Sequence, residues 1–361
     1  MIVNIFIKYY DKYGGAERIA FRFAAYLVNQ GIGVHIYCGK NKINEELPYP
    51  VTEIGLGKSR YGKAKVFAEK AAKLAPAIEG VIFSFERMEN ADIFRPGGGI
   101  HRVFMENTLL GLSGFDKLRK KIKRALDPVN RLNPKLEKAA LNCPTLKYVI
   151  ANSNRMKREI AGDFPEAEHL VQVIHNGVDK KIFNPVRRDE LREPSDKKRI
   201  GLATSNFQRK GLPQLIKALS LLPEDYHLYV AGGRNPETYQ KLADSLQVGK
   251  RITFLGKVSE MDRFYANLDV FCLPTFFDGF ANVVSEAIAM GIPVACSIYA
   301  GSDEIIEEGK NGYVFADVEP LEIAEAVKAA YAIGIGDFSS YVCTDSEVFD
   351  KYIELCRKTL K

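Results

Sequence analysis

Short segments rich in β-branched and aromatic residues alternate with helical patterns along the whole chain. This alternation is typical of βαβ units, in which consecutive strands run parallel and a helix crosses over between them. In the first half, the predicted strands are residues 2–8, 34–38, 81–85, 148–153 and 171–177. The cycle restarts in the second half, with predicted strands at residues 199–205, 226–233, 252–256, 270–274 and 293–297. The sequence therefore predicts an α/β fold with doubly wound, mostly parallel sheets.

The restart also predicts two domains. A polar, charged and proline-bearing segment near residues 180–198 separates the two series of strands and is typical of a linker. With 361 residues, the chain is longer than one hydrophobic core usually supports. We therefore predict Rossmann-like domains at residues 1–180 and 181–345. Ligands of such sheets bind outside the carboxyl ends of the strands, so we expect the chemistry in a cleft between two facing domains.

Charge and cysteine content exclude several classes of protein. A net charge of +6 is too small to indicate a particular anionic partner, and we expect no nucleic acid. The six cysteines form no CxxC pair, which favours buried free thiols over disulfides or a zinc site. The first apolar run is broken by Lys8, and no later run approaches membrane-spanning length. These features predict a cytoplasmic protein.

Residues 274–293 place a loop and a helix N-terminus at the carboxyl end of a predicted strand. The strand ends at Pro274, a turn follows at Gly279, and a helix is expected from about Asn282. Backbone amides at a helix N-terminus, together with the helix dipole, favour a phosphate group. The amides expected to bind a diphosphate are those of Ala281, Asn282 and Val283.

Two carboxylates accompany this turn. Asp278 lies just before the predicted helix, and Glu286 lies one turn inside it. A carboxylate can accept two hydrogen bonds from the hydroxyls of a sugar or a ribose. The alternative is that Asp278 is only a turn residue and Glu286 only a solvated helix position.

The pattern P-x-x-x-D-G-F-x-N-V-x-x-E-A-x-A-x-G-x-P-V in this segment resembles the E-x7-E signature of glycosyltransferase family four. The resemblance implies a GT-B fold, in which the helix at residues 346–361 returns to the first domain. It also implies metal-independent, retaining transfer of a hexose from a nucleotide-diphosphate sugar, with no cofactor. Asp278 would contact the sugar, although family members commonly have the longer glutamate there. The donor site would include Gly279, Phe280, Ala281, Asn282, Val283 and Glu286, with Glu286 on the ribose.

Other motifs resemble the same family in the same order. The turn after the first strand contains Gly14 and Gly15, which would lie beside the donor phosphates and the acceptor. The run NFQRKGL at residues 206–212 resembles a basic turn that grips the diphosphate, with Arg209 and Lys210 as its cations. For these two, the alternative is a pair of solvated charges at a helix start.

Two further site residues follow from the resemblance. Val258 lies in a run similar to the family's F-x-G-x-V pattern, and its backbone would contact the base. The loop RPGGGIHR at residues 95–102 resembles one in bacterial lipopolysaccharide-core hexosyltransferases, which would place His101 at the reacting face of the sugar. Alternatively, His101 only hydrogen-bonds backbone. The implied acceptor is a glycan or a lipid-linked glycan in lipopolysaccharide or other cell-surface polysaccharide synthesis.

A basic segment at residues 116–138 has six Lys or Arg residues between Lys117 and Arg124. Leu118, Ile122, Ala125 and Val129 fall near one face of the predicted helix. This segment is either a solvated helix face or a docking surface for an anionic membrane, formed by Lys117–Arg131. Docking would suit a lipid-linked acceptor and a peripheral position on the inner face of the plasma membrane.

Other classes of protein fit the sequence less well. Residues 57–64 resemble a Walker A motif, but Ala64 lies at the position where a magnesium-binding hydroxyl is needed. No G-x-G-x-x-G follows a predicted strand, as a nicotinamide dehydrogenase would require. A metal-dependent GT-A transferase would need a D-x-D element, which the chain lacks. Two alternatives remain open: a non-hydrolysing sugar-nucleotide epimerase of GT-B fold, and a catalytically silent protein that binds a nucleotide sugar or a membrane.

Overall fold

The computed structural model describes residues 1–112 and 114–360. These residues form two compact units, each with its own parallel sheet. The first unit comprises residues 1–106, 114–175 and 346–360, and the second comprises residues 107–112 and 176–345.

The first unit is a seven-stranded parallel sheet in the order β3-β2-β1-β4-β5-β6-β7. Its strands are β1 (Ile2–Tyr10), β2 (Gly33–Asn41), β3 (Val51–Glu53), β4 (Val81–Ser84), β5 (Ile93–Phe94), β6 (Tyr148–Ala151) and β7 (Val171–Val173). Its helices before the second unit are α1 (Ala16–Asn29), α2 (Arg60–Leu74), α3 (His101–Asn107), α4 (Gly114–Leu126), α5 (Val129–Leu141) and α6 (Asn154–Asp163).

The second unit is a six-stranded parallel sheet in the order β10-β9-β8-β11-β12-β13. Its strands are β8 (Lys198–Thr204), β9 (Tyr226–Gly232), β10 (Ile252–Gly256), β11 (Val270–Leu273), β12 (Val294–Ser297) and β13 (Gly312–Phe315). Its helices are α7 (Pro185–Leu191), α8 (Leu212–Leu219), α9 (Glu237–Ser245), α10 (Met261–Ala266), α11 (Asn282–Ala289) and α12 (Pro320–Ile333). A final helix, α13 (Asp345–Thr359), packs in the first unit.

Each sheet has a point at which the strand order reverses. In the first unit, β1 pairs with both β2 and β4; in the second, β8 pairs with both β9 and β11. Open parallel sheets bind their ligands at the carboxyl ends of the strands beside such a reversal. In the second unit, a ligand site is therefore expected at the loops that follow β8 and β11.

The prediction of two doubly wound parallel sheets is confirmed, and all ten predicted strands are present. Three further strands, β3, β5 and β13, were too short or too polar to stand out as patterns. The predicted strand at residues 171–177 was too long, because its ladder pairing with β6 ends at Val173.

The helical pattern at residues 116–138 is two helices instead of one. Asp127 and Pro128 separate α4 from α5, and proline at this position favours the start of a new helix. Val129 is 5% exposed and belongs to the buried face of α5, so its predicted place on the apolar face of the basic helix was wrong. Among the helices of residues 1–112 and 114–360, none has the length and apolar character that crossing a bilayer requires.

Helix α13 is fixed to the first unit by a buried hydrogen bond. The Tyr352 hydroxyl is fully buried with its ring and accepts a hydrogen bond of 2.9 Å from Nε of Arg95, a residue only 1% exposed. The Tyr352 ring also meets the ring of Phe23 edge to face at 5.4 Å. A buried guanidinium is costly unless its donors are satisfied, so this bond contributes to the docking of α13.

Tyr352→Phe should destabilise the protein by about 1–3 kcal/mol, because it removes a buried acceptor from a charged donor. Tyr26→Phe is a matched control, since its hydroxyl also bonds a residue of α13, donating to Asp350 at 2.8 Å, but at an exposed position. Urea denaturation of the two variants should show the larger loss for Tyr352→Phe. Equal losses would mean that the buried bond does not help to hold α13.

Candidate functional site

The loop between β8 and α8 is held in a tight turn against the end of β11. The Asn206 side chain accepts a hydrogen bond of 2.9 Å from the backbone N–H of Arg209, and the Arg209 carbonyl accepts one of 2.9 Å from Phe276. Gly211 ends the turn with a φ of +73°, and a Cβ there would lie 1.9 Å from the Pro274 carbonyl oxygen. Only glycine permits this close approach. The turn therefore brings the basic residues of one loop to the carboxyl end of β11.

Lys210 and Asp278 form an ion pair inside this junction. The Lys210 residue is 6% exposed, and its Nζ contacts a carboxylate oxygen of Asp278, whose side chain is 24% exposed. Burial lowers the pKa of Lys210, and the carboxylate of Asp278 opposes that shift. Asp278 is therefore more than a turn residue, because it is the counter-charge of a buried cation.

Arg209 lies on the same turn, and its Nη1 donates a hydrogen bond of 3.2 Å to the Phe277 carbonyl. Phe277 directly precedes Asp278 in the loop after β11. The two cations predicted to bind a diphosphate thus both contact this loop, with Lys210 buried and Arg209 partly buried. A solvated pair of charges, the alternative for these residues, does not describe Lys210.

The N-terminus of α11 lies four residues beyond Asp278 and carries no side-chain cap among the residues that the structure describes. The Ala281 amide donates to the Ala300 carbonyl at 3.1 Å, so it already has an acceptor, and its predicted contact with a phosphate stays a prediction. The Asn282 side chain accepts a hydrogen bond of 2.7 Å from Asn176. The amides of Asn282 and Val283 remain the predicted anion donors at this helix end.

The residues between Asp278 and α11 are packed closely. A Cβ at Gly301 would lie 2.1 Å from the Gly279 carbonyl oxygen, so the two loops approach each other closely at this point. The Phe280 side chain is 4% exposed. A donor contact by Phe280 would therefore involve its backbone.

Glu286 is buried, which contradicts the alternative of a solvated helix position. It is 5% exposed, and one carboxylate oxygen accepts a hydrogen bond of 2.9 Å from the Tyr265 hydroxyl. Tyr265 is fully buried in the core of the second unit, so this bond fixes the orientation of the carboxylate. The proposed contact of Glu286 with a ribose remains a prediction. Val258, which follows β10, packs half-buried against the same core.

The sequence does not single out Tyr265 or Asn176 as partners of site residues. Tyr265 belongs to the run that contains Val258, and a buried tyrosine needs a partner for its hydroxyl, but the sequence does not show which acceptor folds against it. Asn176 lies in the motif HNGVD at residues 175–179, and its partner Asn282 is more than a hundred residues away.

In the first unit, the predicted glycines lie at the carboxyl end of β1. Gly14 has a φ of +107°, and a Cβ there would lie 2.6 Å from a carboxylate oxygen of Glu17. Gly15 immediately precedes α1. The glycine-rich turn after β1 therefore requires Gly14 for its backbone geometry.

His101 is the first residue of α3, not a loop residue, and is 7% exposed. Burial, reinforced by the nearby Arg87 charge, lowers its pKa to about 4, so the ring is neutral near pH 7. Asn133 Nδ2 lies 3.4 Å from Nδ1, which favours the hydrogen on Nε2. Nε2 has no hydrogen-bond partner among the described residues, so the ring is not simply bonded to backbone.

Comparison with known proteins agrees with this fold. The family model described as Glycosyltransferase Family 4 matches residues 13–181, and the one described as Glycosyl transferases group 1 matches residues 184–334. Only residues 1–12, 182–183 and 335–361 lie outside the two matches. The chain therefore belongs to the GT-B glycosyltransferases that combine these two domains.

Solved structures share the fold at low sequence identity. One is WaaG, a glycosyltransferase involved in lipopolysaccharide biosynthesis, with a TM-score of 0.75 and 18% identity over 99% of this chain and 94% of WaaG. Another is Alr3699/HepE of Anabaena in complex with UDP-glucose, with a TM-score of 0.69 and 16% identity over 99% of both chains.

Curated relatives match over shorter stretches. An uncharacterized glycosyltransferase, MJ1607 of Methanocaldococcus jannaschii, is 28% identical over 56% of this chain and 56% of its own length. The lipopolysaccharide core biosynthesis glycosyltransferase LpsE of Rhizobium meliloti is 30% identical over 45% of this chain and 46% of its own length. The chain thus spans about half the length of the curated relatives that it matches.

Asp278→Asn should lower the free energy of unfolding by about 3 kcal/mol, because it leaves the Lys210 ammonium buried without its counter-charge. Adding Lys210→Met should recover most of the loss, since neither charge then remains. The control is Asp225→Asn, which breaks another lysine–aspartate pair of the second unit, with Lys198 at 2.9 Å, where the lysine and aspartate side chains are 30% and 44% exposed. That variant should unfold almost as the wild type does. Equal effects of the two aspartate variants in urea denaturation would contradict a buried charge at Lys210.

Proposed function

We propose that this protein transfers a hexose, with retention at the anomeric carbon, from a nucleotide-diphosphate sugar to a glycan or glycolipid acceptor. The observation that carries the proposal is the buried Lys210 at the carboxyl end of β11, held by a single carboxylate beside the N-terminus of α11. A cation beside a helix N-terminus that has no side-chain cap among the described residues favours an anionic group such as a diphosphate. The second unit would then hold the donor and the first unit the acceptor.

The ion pair suggests how the site changes when the donor binds. Asp278 neutralises Lys210. A diphosphate would offer Lys210 a second anion, and Asp278 would then be able to accept hydrogen bonds from the hydroxyls of the sugar.

Stabilisation of the leaving group needs no metal in this proposal. The departing nucleotide diphosphate carries growing negative charge, which Lys210, Arg209 and the amides of Asn282 and Val283 would stabilise. These donors are fixed before the reaction, because the turn after β8 is bonded to the loop after β11. His101, neutral and with Nε2 as a hydrogen donor, would contact the sugar.

The donor is proposed to be a UDP-sugar, and the acceptor a sugar of lipopolysaccharide or another surface polysaccharide. The support comes from similar proteins: Alr3699/HepE was solved with UDP-glucose, and WaaG and LpsE act in lipopolysaccharide synthesis. A GT-B epimerase or a silent nucleotide-sugar binder would share the fold. Recovery of a glycosylated acceptor from a reaction with UDP-glucose would distinguish the transferase from both.

Lys210→Ala should reduce kcat/KM with UDP-glucose by a factor of about 100 to 1,000, which corresponds to the loss of one preorganised donor of about 2.7–4 kcal/mol. It should also abolish the rise in melting temperature that UDP gives the wild type. Lys217→Ala, at an exposed position in the last turn of α8, is the control and should leave both properties unchanged. Normal turnover in the Lys210 variant would place the diphosphate elsewhere.

We also propose that α4 docks on an anionic membrane. In this helix no residue is buried, and Phe115, Leu118, Ile122 and Leu126 are 76%, 55%, 54% and 75% exposed. Their spacing of three or four residues puts them on one face, and six Lys or Arg residues accompany them. An apolar face with many cations is typical of helices that lie in the interface of an anionic bilayer. The protein would then act at the inner face of the plasma membrane on a lipid-linked acceptor.

Lys121→Glu/Lys123→Glu should reduce co-sedimentation with vesicles that contain phosphatidylglycerol, because each basic residue contributes about 1 kcal/mol at an anionic surface. Lys65→Glu/Lys73→Glu makes the same charge change at exposed positions of α2 and should sediment as the wild type does. Vesicles of phosphatidylcholine alone should bind all three proteins weakly. Equal losses in both double variants would point to net charge instead of α4.

A further inference from the structure

A cleft of about 360 Å³ opens in the first unit between the loops that follow β1 and β2. It is lined by residues 11–13 and 42–45, just beyond the carboxyl ends of these two parallel strands. This is the edge at which open parallel sheets bind ligands. None of these residues belongs to the donor site described above.

The charges of this cleft are balanced. Lys42 Nζ lies 2.9 Å from the Asp11 carboxylate, and Lys12 Nζ lies 2.6 Å from the Glu45 carboxylate. The two ammonium groups and two carboxylates give the lining no net charge, so it attracts a phosphate only weakly. Carboxylates accept and ammonium groups donate hydrogen bonds, which matches the mixed donor and acceptor character of sugar hydroxyls.

Tyr13 supplies an exposed aromatic ring to the same cleft. Its side chain is 76% exposed, although large aromatic side chains are usually more buried. Within the loop that presents it, the Tyr13 amide donates to Asp11 Oδ1 at 3.0 Å, and Gly14 follows with a φ of +107°. An exposed aromatic ring offers an apolar surface for the flat face of a pyranose.

We propose that this cleft is the acceptor subsite and that it takes a neutral, hydroxyl-rich sugar in preference to a phosphorylated one. The inference rests on the proposed transferase function and adds to it the charge class of the acceptor. The ring of Tyr13 packs against the sugar face. Asp11 and Glu45 accept hydrogen bonds from its hydroxyls, and Lys12 and Lys42 donate to its oxygens.

Saturation-transfer difference NMR with saturating UDP tests the proposal. The probes are the methyl α-glycosides of glucose, galactose and mannose, with glucose 6-phosphate as the anionic comparison. At least one neutral glycoside should give a signal with the wild type, and glucose 6-phosphate should give a weaker one. Tyr13→Ala should lose at least three-quarters of the glycoside signal, and Tyr13→Phe, which keeps the ring, should retain most of it.

Leu360→Ala is the control, because Leu360 is also an exposed apolar side chain of the first unit, at 55% exposure, but lies outside the cleft. It should bind the glycosides as the wild type does. The inference is overturned if no neutral glycoside binds, if Tyr13→Ala binds them normally, or if glucose 6-phosphate binds best. Calorimetry with UDP on the same proteins reports on the donor site: failure of UDP to bind would instead overturn the proposed function.

Discussion

The buried ammonium of Lys210 is the constraint on which the rest of the proposed donor site depends. An isolated charge at 6% exposure would be too costly to keep, so the chain must place a carboxylate against it. Asp278 fills that role, and its position follows from Gly211, which lets the turn after β8 touch Pro274. The local geometry of one glycine thus determines whether a cation and an acid meet at the end of β11.

The contact between Lys210 and Asp278 requires the reversal of strand order in the sheet. Because β8 lies next to β11, the loops after these two strands share one edge, although 68 residues separate Lys210 from Asp278 in sequence. The core beneath them is continuous, and Tyr265 extends from it to hold Glu286. The sheet therefore supplies both the position of the charged pair and the rigid support of the second carboxylate.

Much of this architecture could be predicted from the sequence, because alternating strands and helices leave strong periodic patterns. The short strands could not be predicted, because a strand of two residues, such as β5, shows no periodicity. Motifs predicted roles for Lys210 and Asp278, but the contact between the two residues is a long-range pairing that no local pattern encodes. No local pattern shows that the Ala281 amide donates to the Ala300 carbonyl of the next loop. The helix break at Pro128, which puts Val129 in α5 instead of α4, was also not predicted.

The two units differ in how their charges are arranged, and this difference separates their ligands. In the second unit, a buried lysine has one partly exposed counter-ion that an incoming anion can replace. In the first, the cleft beside Tyr13 holds two lysines that are each matched by a carboxylate, while His101 stays neutral at any pH well above 4. An anionic diphosphate gains more from the arrangement in the second unit, and uncharged hydroxyls gain more from the arrangement in the first unit. The distribution of charge thus favours an anionic donor in one unit and a neutral acceptor in the other.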